Sequence, residues 1–87
     1  MKKINLDDVM NFLDYKLYSS DLRKNIYYSE KGKIFIFEGV LFSNYDDHNK
    51  SGTEPIDLII YLKDCSQKEA QGILNKIYKN KGLKNGY

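Results

Sequence analysis

The 87-residue sequence has no tryptophan and only one cysteine, one proline and one histidine. The scarcity of cysteine and histidine closes classes of function. With Cys65 alone, no intrachain disulfide can form, which points to a reducing compartment, the cytoplasm. A structural zinc ion needs four ligands, mostly Cys and His, and Cys65 with His48 cannot supply them. The same pair is all that a cysteine nucleophile and a histidine base could draw on. Cys65 follows Asp64, whose charge disfavours a thiolate, so it reads as a small packing residue. No G-x-x-x-x-G-K or G-x-G-x-x-G phosphate cradle occurs. No apolar run approaches the roughly 20 residues that span a bilayer. The basic start Met1-Lys2-Lys3 meets Asp7 and Asp8 where a signal peptide would place its apolar core. The expectation is a cytoplasmic domain that is no enzyme, carries no metal or cofactor, and works by binding something other than a membrane.

What the chain does have is aromatic surface and an uneven charge. Eight tyrosines and four phenylalanines stand in one small domain, residues 1–87. Tyrosine combines a flat apolar face with a polar tip, which serves both a thin core and a binding surface. The net charge is only +2, but residues 4–65 carry eleven acids against seven bases, whereas residues 66–87 carry five bases and one acid. Lys76, Lys79, Lys81 and Lys84 form a basic end without an acid among them, partly flexible from about residue 80. Such an end can neutralise phosphates or simply keep the chain soluble.

The apolar periodicity predicts three helices. Leu6, Val9, Met10 and Leu13 share one helical face over about 6–14, with Asn5 as N-cap and Asp7 and Asp8 in the first turn. Thr53 caps a second helix that has Pro55 in its first turn and runs to about Lys63, apolar nearly all round. Ser66 and Glu69 make a capping box for a third helix over about 67–80, with Gly82 as its stop. Between the first two lie strand signals. Asn25-Ile26-Tyr27-Tyr28 reads as a short strand, Glu30-Lys31-Gly32 as a turn, Lys33–Glu38 as the clearest strand, and Val40–Ser43 as another, or as its continuation past a bulge at Gly39. The expected fold is α+β, a small antiparallel sheet of two to three strands packed with three helices in the order α-β-β-β-α-α.

Alternation places Phe35 and Phe37 on one sheet face and Ile34 and Ile36 on the other. If one face packs on the helices, the other is open. Tyr27 and Tyr28 on or near that face could stack bases, with Arg23, Lys24, Lys31 and Lys33, and the basic end, pairing phosphates. The competing reading is that these aromatics fill the core or meet a protein. The polar loop 44–52 holds Tyr45, Asp46, Asp47 and His48, candidates for partner binding. Two adjacent acids there are in principle a hard-cation site, but read more simply as loop residues.

One segment resembles a known family. Ser51-Gly52-Thr53-Glu54-Pro55-Ile56-Asp57-Leu58, followed by Ser66-Gln67-Lys68-Glu69-Ala70, is similar to the last part of the zinc-ribbon domain of bacterial and phage DNA primases and related mobile-element replication proteins. Gly52, Glu54, Ile56, Asp57 and Leu58 take the positions of its turn and helix start, and Ser66, Glu69 and Ala70 those of its capping box. The order of elements matches over about 33–78, while the specific part covers some twenty residues. The family's zinc ligands are missing and Thr53 stands in place of its second turn glycine, so the resemblance implies a metal-free relative. Primase zinc domains help recognise single-stranded template and do not transfer phosphoryl groups. The resemblance thus implies a replication accessory of a phage or mobile element that binds a DNA polymerase, primase or helicase, with single-stranded DNA as a further ligand. A rival from another class is a small inhibitor that docks on a host enzyme, motivated by the acidic 4–65 stretch.

Overall fold

The computed structural model describes residues 4–47 and 49–81. The chain opens with α1 (Leu6–Phe12) and continues through β1 (Leu17–Ser20), β2 (Lys24–Tyr27), β3 (Ile34–Phe37), β4 (Leu41–Asn44) and β5 (Ser51–Gly52). It closes with α2 (Pro55–Lys63) and α3 (Gln67–Asn80). The five strands form one antiparallel sheet in chain order, β1-β2-β3-β4-β5.

The α+β expectation needs correction in its sheet, which has five strands and the order α-β-β-β-β-β-α-α. The two unforeseen strands lie at the edges. β1, Leu-Tyr-Ser-Ser, is exposed throughout, so no burial pattern marks it, and its register with β2 slips between Leu17 and Ser19. β5 is two residues long and is held by pairing with Phe42 and Ser43. Gly39 is not a bulge. Glu38 and Gly39 both take positive φ, 53° and 75°, and Val40 N–H closes the turn on Phe37 O at 3.0 Å. That is the twist-matched kind of hairpin turn, and β3 and β4 are separate strands.

Alternation then sorts the sheet into two faces. Register aligns Asn25 with Ile36 and Phe42, and Tyr27 with Ile34 and Asn44. These residues point inward. Tyr27, Ile34, Ile36 and Phe42 join Leu6, Val9 and Met10 of α1, Leu58, Ile59 and Leu62 of α2, and Ala70, Leu74, Ile77 and Tyr78 of α3 in one core. Ile34 and Ile36 are essentially fully buried, each worth about 2 kcal/mol of apolar transfer. The described helices all pack on this face, leaving the other face uncovered by them.

The caps follow from the local sequence. Asn5 Oδ1 accepts from Asp7 N–H at 2.7 Å, and Ser66 and Glu69 form the reciprocal capping box. The N-cap of α2 is Glu54 rather than Thr53, with Pro55 in the first turn. Buried Asn44 joins the sheet to α2. Its Nδ2 donates to Lys31 O and Tyr61 Oη, both at 2.8 Å, and its Oδ1 accepts from the N–H groups of Asp46 and Asp47. A buried amide is tolerated because both of its ends are satisfied. The expected stop at Gly82 lies outside the described residues.

Candidate functional site on the open sheet face

Register places the outward residues in three rows that cross the strands. The middle row is Ser19, Ile26, Phe35, Ser43 and Ser51, and a second row holds Lys24, Phe37 and Leu41. At the opposite end, Tyr28, Lys33 and Tyr45 continue the register beyond β2, β3 and β4, with Tyr45 N–H donating to Lys33 O at 2.8 Å. Tyr18 of β1 completes that row. Its ring meets the Tyr28 ring edge-on, centroids 5.1 Å apart.

Each cation on this face lies over a ring. Lys33 Nζ is 3.9 Å from the Tyr18 centroid and 5.9 Å from that of Tyr45. Lys24 Nζ is 5.8 Å from the Phe35 centroid, and the Arg23 guanidinium is 5.0 Å from that of Phe37. Such contacts hold long side chains against the sheet at about 0.5–1 kcal/mol each when exposed. Arg23 also pairs with Glu38 at 2.7 Å, whereas neither Lys24 nor Lys33 forms an ion pair among the described residues. Tyr18, Tyr28 and Tyr45 are each about half exposed (47 %, 51 % and 51 %), enough for a planar ligand to lie on them. The face therefore offers three half-exposed phenol rings beside a middle row in which Ile26 and Ser43 are buried, and two lysines without an ion pair among the described residues.

The structure gathers some of the sequence candidates here and sends others elsewhere. Arg23, Lys24, Tyr28, Lys33 and Tyr45 reach the open face. Tyr27 does not. It points inward at 3 % exposure, and its hydroxyl donates to Asp7 Oδ1 at 2.7 Å. Burial first, and then the Asp7 carboxylate, pushes its phenol well above the ordinary tyrosine range. It is a core residue and cannot stack a base in the folded chain. Lys31 turns away to Asp64, both of whose carboxylate oxygens lie 2.6 Å from Nζ, beside the Tyr61 ring. Lys76 and Lys79 lie on α3, on the helical side, beside Phe12 in a groove of about 240 Å³. Lys81 pairs with Asp8 at 3.2 Å. Asp46 and Asp47 are exposed just past Tyr45. His48 and Lys84 lie outside the described residues. Sequence reasoning missed Tyr18, because nothing marked residues 17–20 as a strand. Its only signal was one more tyrosine near Tyr28.

Two other features gather polar groups. A polar cleft of about 340 Å³ lies between the β1–β2 and β3–β4 turns, lined by Asn5, Asp7, Ser20, Arg23, Asn25 and Glu38. Its groups satisfy one another: Asn25 Nδ2 donates to Asp7, Ser20 Oγ to Asn25, and Arg23 to Glu38. These side chains are thus engaged with one another rather than turned toward the cleft's interior. On the helical side Tyr15 Oη donates to Glu30 Oε1 at 2.8 Å beneath Lys63. Burial, reinforced by Glu30, raises the Tyr15 phenol, while Glu30, held by its own backbone N–H and by Tyr15, is lowered. This is a structural link between the α1–β1 connection and the β2–β3 turn. Among the described residues no three His, Cys, Asp or Glu side chains gather as metal ligands, and no helix is long and apolar enough to cross a membrane. Comparison with known proteins finds no matching family model, no similar curated protein and no similar solved structure.

Proposed function

We propose that the chain is a non-catalytic, cytoplasmic binding module whose open sheet face holds single-stranded DNA, as an accessory to a replicative polymerase, primase or helicase of a phage or mobile element. The observation that carries the binding part is the row Tyr18, Tyr28, Lys33 and Tyr45 on a face that the helices leave uncovered. Bases stack on exposed aromatic rings whatever their identity, and lysines without carboxylate partners attract phosphates. The replication setting rests on the resemblance of Gly52–Leu58 and Ser66–Ala70 to the helix pair of the primase zinc-ribbon domain. In the fold these residues begin α2 at Pro55 and form the capping box of α3.

One observation favours a second reading, a small inhibitor of a host enzyme. Exposed Asp46 and Asp47 stand directly after Tyr45, and two carboxylates beside the row suit a basic protein surface better than a phosphate chain. A single pair of substitutions separates the readings. Under the first, D46K/D47K tightens binding of a labelled single-stranded oligonucleotide by removing repulsion. Under the second, the same change slows association with the protein recovered by co-purification and leaves oligonucleotide binding absent. Substitution of Tyr28 by Ala should weaken oligonucleotide binding by about 1–3 kcal/mol under the first reading.

A further inference from the structure

Resting on the single-strand reading of this face, we infer that Lys33 is its phosphate seat, set between two tyrosine platforms. Tyr28, Lys33 and Tyr45 extend the register of β2, β3 and β4 by one residue and form one row, with the Lys33 backbone in the centre. Adjacent strands are about 4.8 Å apart, so the two platforms are separated by about 10 Å. Bases stacked on one another in a helix rise by about 3.4 Å. A strand lying on both platforms is therefore unstacked between them, and its linking phosphate passes over the middle of the row. The side chain rooted there is Lys33, whose ammonium rests against Tyr18 and within reach of Tyr45, without a carboxylate partner among the described residues.

The resting position of Lys33 fits this role. In the free protein its ammonium lies 3.9 Å from the Tyr18 centroid, on a ring that Tyr28 braces edge-on. That contact is weak beside a charge-assisted hydrogen bond to phosphate. The lysine is thus held over the face in readiness and moves to the phosphate without passing through a buried salt bridge. Lys24 and Arg23 differ. Lys24 lies over Phe35 in another row, and Arg23 is already engaged by Glu38. Ring stacking and a lysine–phosphate contact do not depend on base identity, so the expected ligand is a single strand irrespective of sequence, and not a duplex, whose bases are stacked and closed.

The test is fluorescence anisotropy of a labelled oligothymidine of about 12 nucleotides, titrated at several salt concentrations with wild type, K33Q, K33R, Y28A and Y45A. The seat predicts that K33Q flattens the slope of log K against log salt by about 0.7, the value for one phosphate contact on a single strand, and that K33R restores it. Y28A and Y45A should lose affinity while keeping the wild-type slope. Wild-type binding with an unchanged K33Q slope overturns the seat and leaves the face as a binding surface. No binding by the wild type, or full binding by Y28A and Y45A, overturns the single-strand reading and the seat with it. Thermal unfolding of K33Q, with K33R as the second variant, separates loss of contact from loss of fold.

Discussion

The Tyr27 hydroxyl donates to Asp7 Oδ1 at 2.7 Å, and Asn25 Nδ2 donates to the same oxygen at 3.0 Å, so one carboxylate in the first turn of α1 fastens that helix to β2. The acid also faces the positive end of its own helix dipole. Asp7→Ala strands two part-buried donors and should cost about 2–3 kcal/mol, against about 1 kcal/mol for Tyr27→Phe. Urea unfolding of the two single variants and the double variant checks this. Because the residues share one network, the double variant should lose less than the sum.

The same bond makes the fold sensitive to alkali. The folded Tyr27 phenol is raised above its ordinary 10.0 by burial and by Asp7. Below the unfolded value its contribution is complete. As pH rises past about 10, the unfolded phenol ionises while the folded one stays neutral, and stability falls. Tyr15, raised by burial and by Glu30, acts in the same direction. Stability followed from pH 8 to 11 should decline more steeply in the wild type than in Tyr27→Phe. Equal slopes would show that the buried phenol is not responsible.

Two glycines should respond to alanine with opposite signs. Gly39 has φ +75°, and a Cβ there would run into the side-chain amide of Asn5, the N-cap of α1. Gly39→Ala combines a left-handed penalty with a disturbed cap, about 2–3 kcal/mol in total. Gly72 stands in the middle of α3 with open space around its Cα. Gly72→Ala should stabilise by about 0.5–1 kcal/mol, a rise of several degrees in Tm for a domain of this size.

Lys76 and Lys79 project from the helical side, away from the tyrosine row. K76Q/K79Q should therefore leave affinity for a short oligonucleotide unchanged at every salt concentration. If the pair flattens the salt slope, the basic groove beside Phe12 is a contact and the strand does not stay on the sheet.

How much of this was legible follows from where each element hides its apolar side. α3 announced itself through Ser66, Glu69 and the spacing of Ala70, Leu74 and Ile77, and all three residues are buried as that spacing requires. Strand β3 and its two faces were equally plain, because Ile34 and Ile36 alternate with Phe35 and Phe37. β1 was not, since its four exposed residues draw their structure from hydrogen bonds to β2 rather than from burial. That omission also hid Tyr18. Tyr27 and Tyr28 show a narrower limit. Alternation requires one to face in and the other out, but only the register with Ile34 and Lys33 says which. Lys31 could not be placed, because its partner Asp64 is 33 positions away and takes a left-handed conformation that closes α2.

The sheet's strand order repeats its order in the chain, so each strand bonds only to a strand next to it in sequence. Hairpins of this kind close on the order of microseconds, and none waits for a distant partner. The contacts that span the molecule belong to the helices: α1 lies against α2 and α3, and Lys81 reaches Asp8 across 73 positions. Loop closure therefore predicts that the return of the first helix to the last is the slow event in folding, because that step closes the longest loop. Substitutions in the strand turns should chiefly alter how fast the sheet comes apart, whereas those where α1 meets α3 should set how fast the molecule assembles.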